Sequence, residues 1–470
     1  MDKTIHLQSS GSGRHRKVFL LMALSLGYFM VLLDTTVVTV ALPAIHEALG
    51  GGLEGLQWVV NAYTIVFAGF LLSMGALSDD LGAKRVYIGG LALFLVASAA
   101  MAASTSLGAL IGFRAMLGLG GAALMPASLS LISRAYENPA ERARALGIWA
   151  AVTGLAMAAG PVVGGLLVDT LGWRSIFLIQ VPFAAVSMIM TLVWVQDARP
   201  KRQHGLDVPG QAAAILTIAA LSFALMEGGT IGWGAPSIVA AWGIALISAA
   251  AFIRLEARSR NPLLPLTLFR SKTVSAGMLA GMMINVGLSG ILFIVPLFFQ
   301  QVRGLSAHMA GWALLPLTVP MAFNPILTGR LVGRIGARIP MSAGFLLAAS
   351  GTLLLLGIGA GAGYTVTLIG LLLIGFGVSL AIPSLMTAVI SAVPKEQTGV
   401  ASGALNSSRQ LGATLGVALQ GAMVSGSGTF TAGLHASLIV TCVVLFCGGL
   451  LSLLYMGTEP TGTRTAKQGQ

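Results

Sequence analysis

Three ionisable side chains lie within long apolar runs: Asp34, Arg114 and Arg409. Asp34, in Leu33-Asp34-Thr35-Thr36-Val37-Val38, is the only carboxylate well inside such a run. A charge in hydrocarbon costs about 3 kcal/mol on insertion scales, so it normally faces a cavity, a partner or a proton path. A carboxylate beside a guanidinium has two uses there. It can take up and release a proton as a changing environment shifts the balance of pairing and desolvation, or it can remain a fixed structural ion pair. Intramembrane ionisable residues are rarely idle, which favours the proton role. Arg409, in Asn406-Ser407-Ser408-Arg409-Gln410, could contact a substrate or pair with helix carbonyls. Of the aromatics near span ends, Tyr63 and Trp149 are the candidates for lining a cavity, with Trp58 and Trp312 assigned to interfacial belts.

Composition settles what surrounds these residues. Of 470 residues, 56% are hydrophobic and only 9% charged, against roughly a quarter charged in soluble domains. Most of the surface must therefore face lipid. The net charge of +12 does not cluster on one soluble domain, so no nucleic-acid partner is expected. Cys442 and Cys447, five apart in one run, point to different helix faces, and neither a disulfide nor a metal site is expected.

Apolar runs long enough to span a bilayer, about 20 residues each, fall at 18–42, 57–77, 86–104, 107–133, 145–168, 174–195, 209–228, 236–254, 273–300, 308–329, 340–358, 363–390, 400–425 and 433–456. The first is longer than the apolar stretch of a cleaved signal and is expected to stay as an anchor. Fourteen spans put both termini on one side. Of the 27 Lys and Arg, only Arg174 and Arg303 fall in the opposite loops and only Arg114 and Arg409 within spans; the other 23 lie in the tails and loops of the termini's side, among them Arg199, Lys201 and Arg202. By the positive-inside rule both termini are cytoplasmic. On that topology Asp34 lies about 13 Å, and Arg114 about 10 Å, below the external face at 1.5 Å rise per residue. The two charges share a depth, as a pair must.

An internal repeat organises the spans. Gly75-Ala76-Leu77-Ser78-Asp79-Asp80-Leu81-Gly82-Ala83-Lys84-Arg85 recurs as Gly329-Arg330-Leu331-Val332-Gly333-Arg334-Ile335-Gly336-Ala337-Arg338, offset by 254. Gly118-Leu119-Gly120 with Pro126 recurs as Gly375-Phe376-Gly377 with Pro383, offset by 257. Repeated halves imply a pseudo-two-fold axis and a substrate site at their interface, opened alternately to each side. The expected organisation is a cytoplasmic tail (1–17), a six-helix bundle (18–195), two inserted helices with cytoplasmic linkers (196–272), a second six-helix bundle (273–456) and a cytoplasmic tail (457–470).

These residues carry a resemblance. Leu33 to Val38 with Ala41-Leu42-Pro43, the loop Gly75 to Arg85, Arg114 with Gly118, Gly120 and Ala123, Gly160-Pro161-Val162-Val163-Gly164-Gly165, and Trp173 to Pro182 occur in the order found in the major facilitator superfamily. Over nearly its whole length the chain resembles that family's fourteen-span drug:proton antiporter branch, and within it the methylenomycin-type resistance exporters. It differs at Asp80 and Ala83, where basic residues are usual, and at Gln180, where Asn is usual. The resemblance implies an all-α integral membrane protein of the major facilitator fold in a bacterial plasma membrane.

It also implies roles. Asp34 and Arg114 become the proton-coupling pair, with the proton as coupling ion and no other cofactor. Gly75, Asp79, Gly82, Lys84 and Arg85 form the conformational gate, with Asp79 locking the outward-open state through a contact between halves. Lys84 and Arg85 serve equally as topology anchors. Ala156, Gly160, Pro161, Gly164 and Gly165 make the antiporter motif, which the family uses to seal the interface of the halves. From spacing alone, Ala156, Gly160 and Gly164 share one helix face, and ordinary close packing explains them as well.

The expected function is proton-coupled efflux of small amphipathic toxic compounds by a monomer working in the bilayer. The alternative is an importer or metabolite exporter on the same fold. A membrane enzyme is disfavoured, because the six histidines are scattered over tails, loops and span ends. No G-x-x-x-x-G-K-[ST] is present to couple ATP. With one central acid, the cargo is expected to be neutral or monovalent.

Overall fold

Within hydrocarbon a backbone must satisfy its own hydrogen bonds, and these apolar runs do so as helices. The computed structural model describes residues 5–196, 207–259, 262, 264–359, 363–394 and 397–456, and among these there is no strand. The first half comprises α1 (Ile5–Leu49), α2 (Gly52–Leu81), α3 (Ala83–Ala102), α4 (Leu107–Ala135), α5 (Pro139–Leu171) and a last span broken into α6 (Ser175–Leu178) and α7 (Gln180–Trp194). Then come α8 (Val208–Ile231) and α9 (Pro236–Arg258). The second half comprises α10 (Lys272–Leu297), α11 (Ala307–Ala313), α12 (Leu315–Ile335), α13 (Arg338–Leu354), α14 (Tyr364–Ser391), α15 (Thr398–Ser425) and α16 (Phe430–Tyr455). Arg199, Lys201, Arg202 and the tail 457–470 lie outside the described residues.

Twelve of these helices are long and apolar enough to cross a membrane, and the pair α11 and α12, bent by 46°, makes a thirteenth. Pro316, in the first turn of α12, leaves the preceding backbone without a helical donor and explains the break. The remaining expected span is α15. Its 28 residues give a length of about 42 Å, ample for a bilayer, but Asn406, Ser407, Ser408, Arg409 and Gln410 make it too polar for the same test. α15 packs between α10, α2, α8 and α16, so protein rather than lipid meets those groups.

The repeat is visible in the packing. α1 packs on α5 and α7 as α10 packs on α15 and α16; α4 packs on α2 and α3 as α14 packs on α12 and α13. Single contacts repeat too. A Cβ on Gly118 would strike the carbonyl of Tyr63, and one on Gly375 that of Leu317. Gly120 abuts the Gly90 carbonyl, and Gly377 that of Gly344. Tyr63 to Leu317 and Gly90 to Gly344 are both steps of 254. Gly82 and Gly336, equivalent in the loop repeat, have φ of 96° and 80°, a region open at little cost only to glycine.

The halves meet at the end opposite the termini. Gln57 donates to the carbonyls of Val417 and Ala418 at 3.0 Å, Asn61 to that of Thr414 at 3.3 Å, and Ser425 to Glu54 at 3.1 Å. Gln300 donates to the Val40 carbonyl at 3.0 Å, and Asp169 accepts from the backbone of Ala307 and His308. Towards the termini α15 still approaches α2, where a Cβ on Gly403 would come within 2.7 Å of Leu72. The inserted α8 lies along the α2–α15 seam, with α9 behind it. Gln211 of α8 bonds Ser73 and the Gly69 carbonyl of α2, and Glu227 accepts from Trp58 at 3.0 Å. Glu227, at the outer end of its span, is therefore hydrogen-bonded to α2 as well as near water, and Trp58 is tied to protein rather than free in a belt.

Candidate functional site

Asp34 and Arg114 are brought together. The Arg114 Nη1 donates to Asp34 Oδ2, with both side chains at or below 1% exposure. Arg114 stands first by volume among the fully buried side chains. Two buried charges need further hydrogen bonds besides their own pairing, and the surroundings supply several. Arg114 Nε donates to the Val59 carbonyl at 2.8 Å, where α2 passes α4. Asp34 Oδ1 accepts from Gln180 Nε2 at 2.9 Å, and Gln180 Nε2 also reaches the Ile176 carbonyl at 3.2 Å across the α6–α7 break. Ser98 of α3 donates to Gln180 Oε1 at 3.5 Å. Five helices of the first half thus converge on one carboxylate.

Tyr63 closes the site from α2. Its ring centroid lies 4.8 Å from the Arg114 Cζ, a cation–π contact that adds to the arginine's compensation. Its hydroxyl is buried without a partner among the described residues. Trp149 is elsewhere: it stacks on Tyr28 of α1 with centroids 4.4 Å apart and planes at 10°. Arg409 donates to Asn285 Oδ1 at 3.4 Å and to Asn406 Oδ1 at 3.2 Å. Tyr63 thus lies over Arg114, Trp149 on Tyr28, and Arg409 between Asn285 and Asn406, so the three have separate partners.

The small residues of α5 are divided between two partners. Gly160 and Gly164 face α1, where a Cβ would meet Thr36 and Val37, and Ala156 is fully buried. Gly165 faces the second half at Ala307 and His308, and the Pro161 carbonyl takes the approach of Gly311. The contact across the halves is thus made by Pro161 and Gly165, together with Gly154 against Ala322, while the Gly160–Gly164 face builds the first half itself. In the loop motif Gly75 approaches Pro126 at 3.8 Å. Asp79 pairs with Arg134 of the same half at 3.5 Å in this conformation. Lys84 donates to the Leu192 carbonyl at 3.2 Å, and Arg85 is exposed.

Gln180 and Tyr28 are the site residues that sequence reasoning missed. Gln180 had a signal, an amide at the start of an apolar span, but its meeting with Asp34 comes only from the packing of α7 on α1. Tyr28 stands six residues before Asp34 and carries no such mark. A cavity of about 540 Å³ lies at the closed end, bounded by His46, Glu54, Thr230 and Ser425; it is a vestibule beyond the seal, away from Asp34.

Comparison with known proteins agrees with this architecture. The chain is 38% identical over 405 residues, 86% of its length and 75% of the relative's, to the multidrug resistance protein Stp of Mycobacterium tuberculosis. It is 35% identical over 428 residues, 91% of its length and 90% of the relative's, to a methylenomycin A resistance protein of Streptomyces coelicolor. A solved structure of a bacterial homologue of the human lysosomal transporter Spinster, inward-facing and unoccupied, has the same fold at 16% identity, with a TM-score of 0.66 and coverage of 94% of this chain and 97% of that one. The Major Facilitator Superfamily matches residues 24–417 and, in a second alignment, 278–470. With its repeated six-helix halves and its spans, the chain belongs to the major facilitator superfamily, and it is a multi-pass membrane transporter rather than an enzyme.

Proposed function

We propose that the protein exports small amphipathic toxic compounds across the plasma membrane in exchange for protons, by alternating access. The observation that carries this reading is the Asp34–Arg114 pair, fully buried in a lipid-embedded bundle and held on both sides by hydrogen bonds. Protonation of Asp34 leaves Arg114 without its counter-charge, which changes the energy of the first-half packing around it. Rocking of the halves would then expose the site to the other side, where the proton leaves. The bias of basic residues supports cytoplasmic termini, with the hydrogen-bonded end of the seam facing outward. Export is supported by the names of the relatives, which are resistance proteins. Both walls of the seam come from one chain, so a monomer suffices.

The energetics are adequate. One proton moving inward across about 100 mV releases roughly 2.3 kcal/mol, and each pH unit adds about 1.4 kcal/mol. Together these support a gradient of a few hundred-fold. The test is transport in everted vesicles, reading the collapse of a pH-sensitive dye's quenching when a toxic compound is added. Asp34→Asn keeps the hydrogen-bonding shape and is expected to abolish this response; because it leaves Arg114 buried without its counter-charge, transport is compared in folded, monodisperse protein. A wild-type response in that variant would overturn the proton assignment.

A further inference from the structure

Arg409 is a charge within the spans that the Asp34 chemistry does not use. It lies eleven residues past Thr398, about 16 Å along α15. Its stem runs against α10, where a Cβ on Gly281 would come within 3.1 Å of its Cγ. Its head meets two neutral oxygens, those of Asn285 and Asn406, which are 7% and 8% exposed. Among the described residues it makes no ion pair. Nη2 has no hydrogen-bond partner among them, yet it is not sealed in like the buried orphan atoms and remains reachable. The other half carries its own aromatic stack, Tyr28 of α1 on Trp149 of α5.

An arginine withdrawn from water without a counter-ion is costly, because the guanidinium keeps its charge at any physiological pH. Its fork of donors matches a carboxylate or another oxyanion better than an amide. Here the amides take Nε and Nη1, Nη2 has no hydrogen-bond partner among the described residues, and the side chain is only partly buried. Arg114, by contrast, already has its anion. The geometry points to Arg409 as the anchor for the anionic group of a monovalent amphipathic cargo. The inference rests on the export reading above and narrows its cargo to organic anions. Such a cargo also leaves a cell of inside-negative potential with that potential rather than against it.

Two probes that differ only in charge test this. Anilinonaphthalene sulfonate is a monovalent amphipathic anion, and phenylnaphthylamine is the same skeleton without the sulfonate. Binding of each to the purified full-length protein is read by fluorescence, and entry of each into energised everted vesicles is read in parallel. Arg409→Gln is expected to weaken the anion by about tenfold or more, the scale of one lost charge-assisted interaction, and to leave the neutral probe unchanged. Asn285→Asp keeps Arg409 but gives it an internal counter-ion, so it should lose anion affinity in the same way. It decides the matter should Arg409→Gln fail to fold, as judged by monodispersity and melting temperature. Unchanged anion binding in a folded variant, or an equal fall for both probes, overturns the assignment. Failure of the export reading looks different: neither probe enters energised vesicles, while the anion still binds through Arg409.

Discussion

In the first half a buried arginine has a carboxylate; in the second half a membrane arginine has two amides. The halves pack alike, down to glycines that approach equivalent carbonyls, so the difference lies in side chains set on a duplicated frame. At the offset of 254 that carries Tyr63 onto Leu317, Asp34 falls on Leu288 and Asp79 on Gly333. At the offset of 257, Arg114 falls on Leu371. Both leucines are buried, at 5% and 0%. Packing of small residues is local and survives duplication; charge in a membrane is expensive and is placed once. The asymmetry gives one half a buried ion pair and leaves the other an unmatched cation.

This contrast can be broken outright. Arg114→Leu leaves Asp34 as an uncompensated buried carboxylate and should destabilise the protein by about 3–5 kcal/mol, read as a fall in melting temperature of the detergent-solubilised protein. The double variant Asp34→Leu with Arg114→Leu copies Leu288 and Leu371 into the first half. It should recover wild-type stability, since apolar replacement of a whole buried pair is often neutral or better, while proton-driven transport stays lost. A double variant as unstable as the single one would mean that the pair holds the fold together rather than serving transport.

A finer change separates the pair from its support. Gln180→Leu removes one hydrogen bond to the Asp34 carboxylate and should lower proton-driven transport about tenfold, the scale of a bond to a charged group. Gln180→Asn should retain most of the activity. Equal rates in all three would leave Gln180 a packing residue. The smallest effect is expected at the loop. Asp79→Asn, copying the missing charge of Gly333, loses an exposed pair with Arg134 and should change melting by less than about 1 kcal/mol. A transport defect without a stability defect would assign Asp79 to gating.

Much of this was legible in the residues. The spans follow from runs of apolar side chains, because nothing else satisfies a backbone in lipid. The Asp34–Arg114 pairing could be anticipated because both ends of a buried pair must lie at one depth. The second half of the site was not legible. Gln180 meets Asp34 only once α7 packs on α1, and Tyr28 meets Trp149 only once α5 does. The small residues of α5 share one pattern in sequence but face two partners in space, because residues one apart on a helix, Gly164 and Gly165, point about 100° from each other. α15 lost the apolar signature of a span for the same reason that it matters: its polar side chains face protein.

By itself the sequence determined the solvent, the helices, the repeat and the cost of its three membrane charges, since these depend on composition and order along the chain. Only the tertiary structure decided how those charges were met. Arg114 found a carboxylate because α1 and α4 cross at the depth of Asp34, and Arg409 found none because α10 and α15 set only the amides of Asn285 and Asn406 against it. Pairing is a matter of distance between helices, and distance between helices is not written in any one of them.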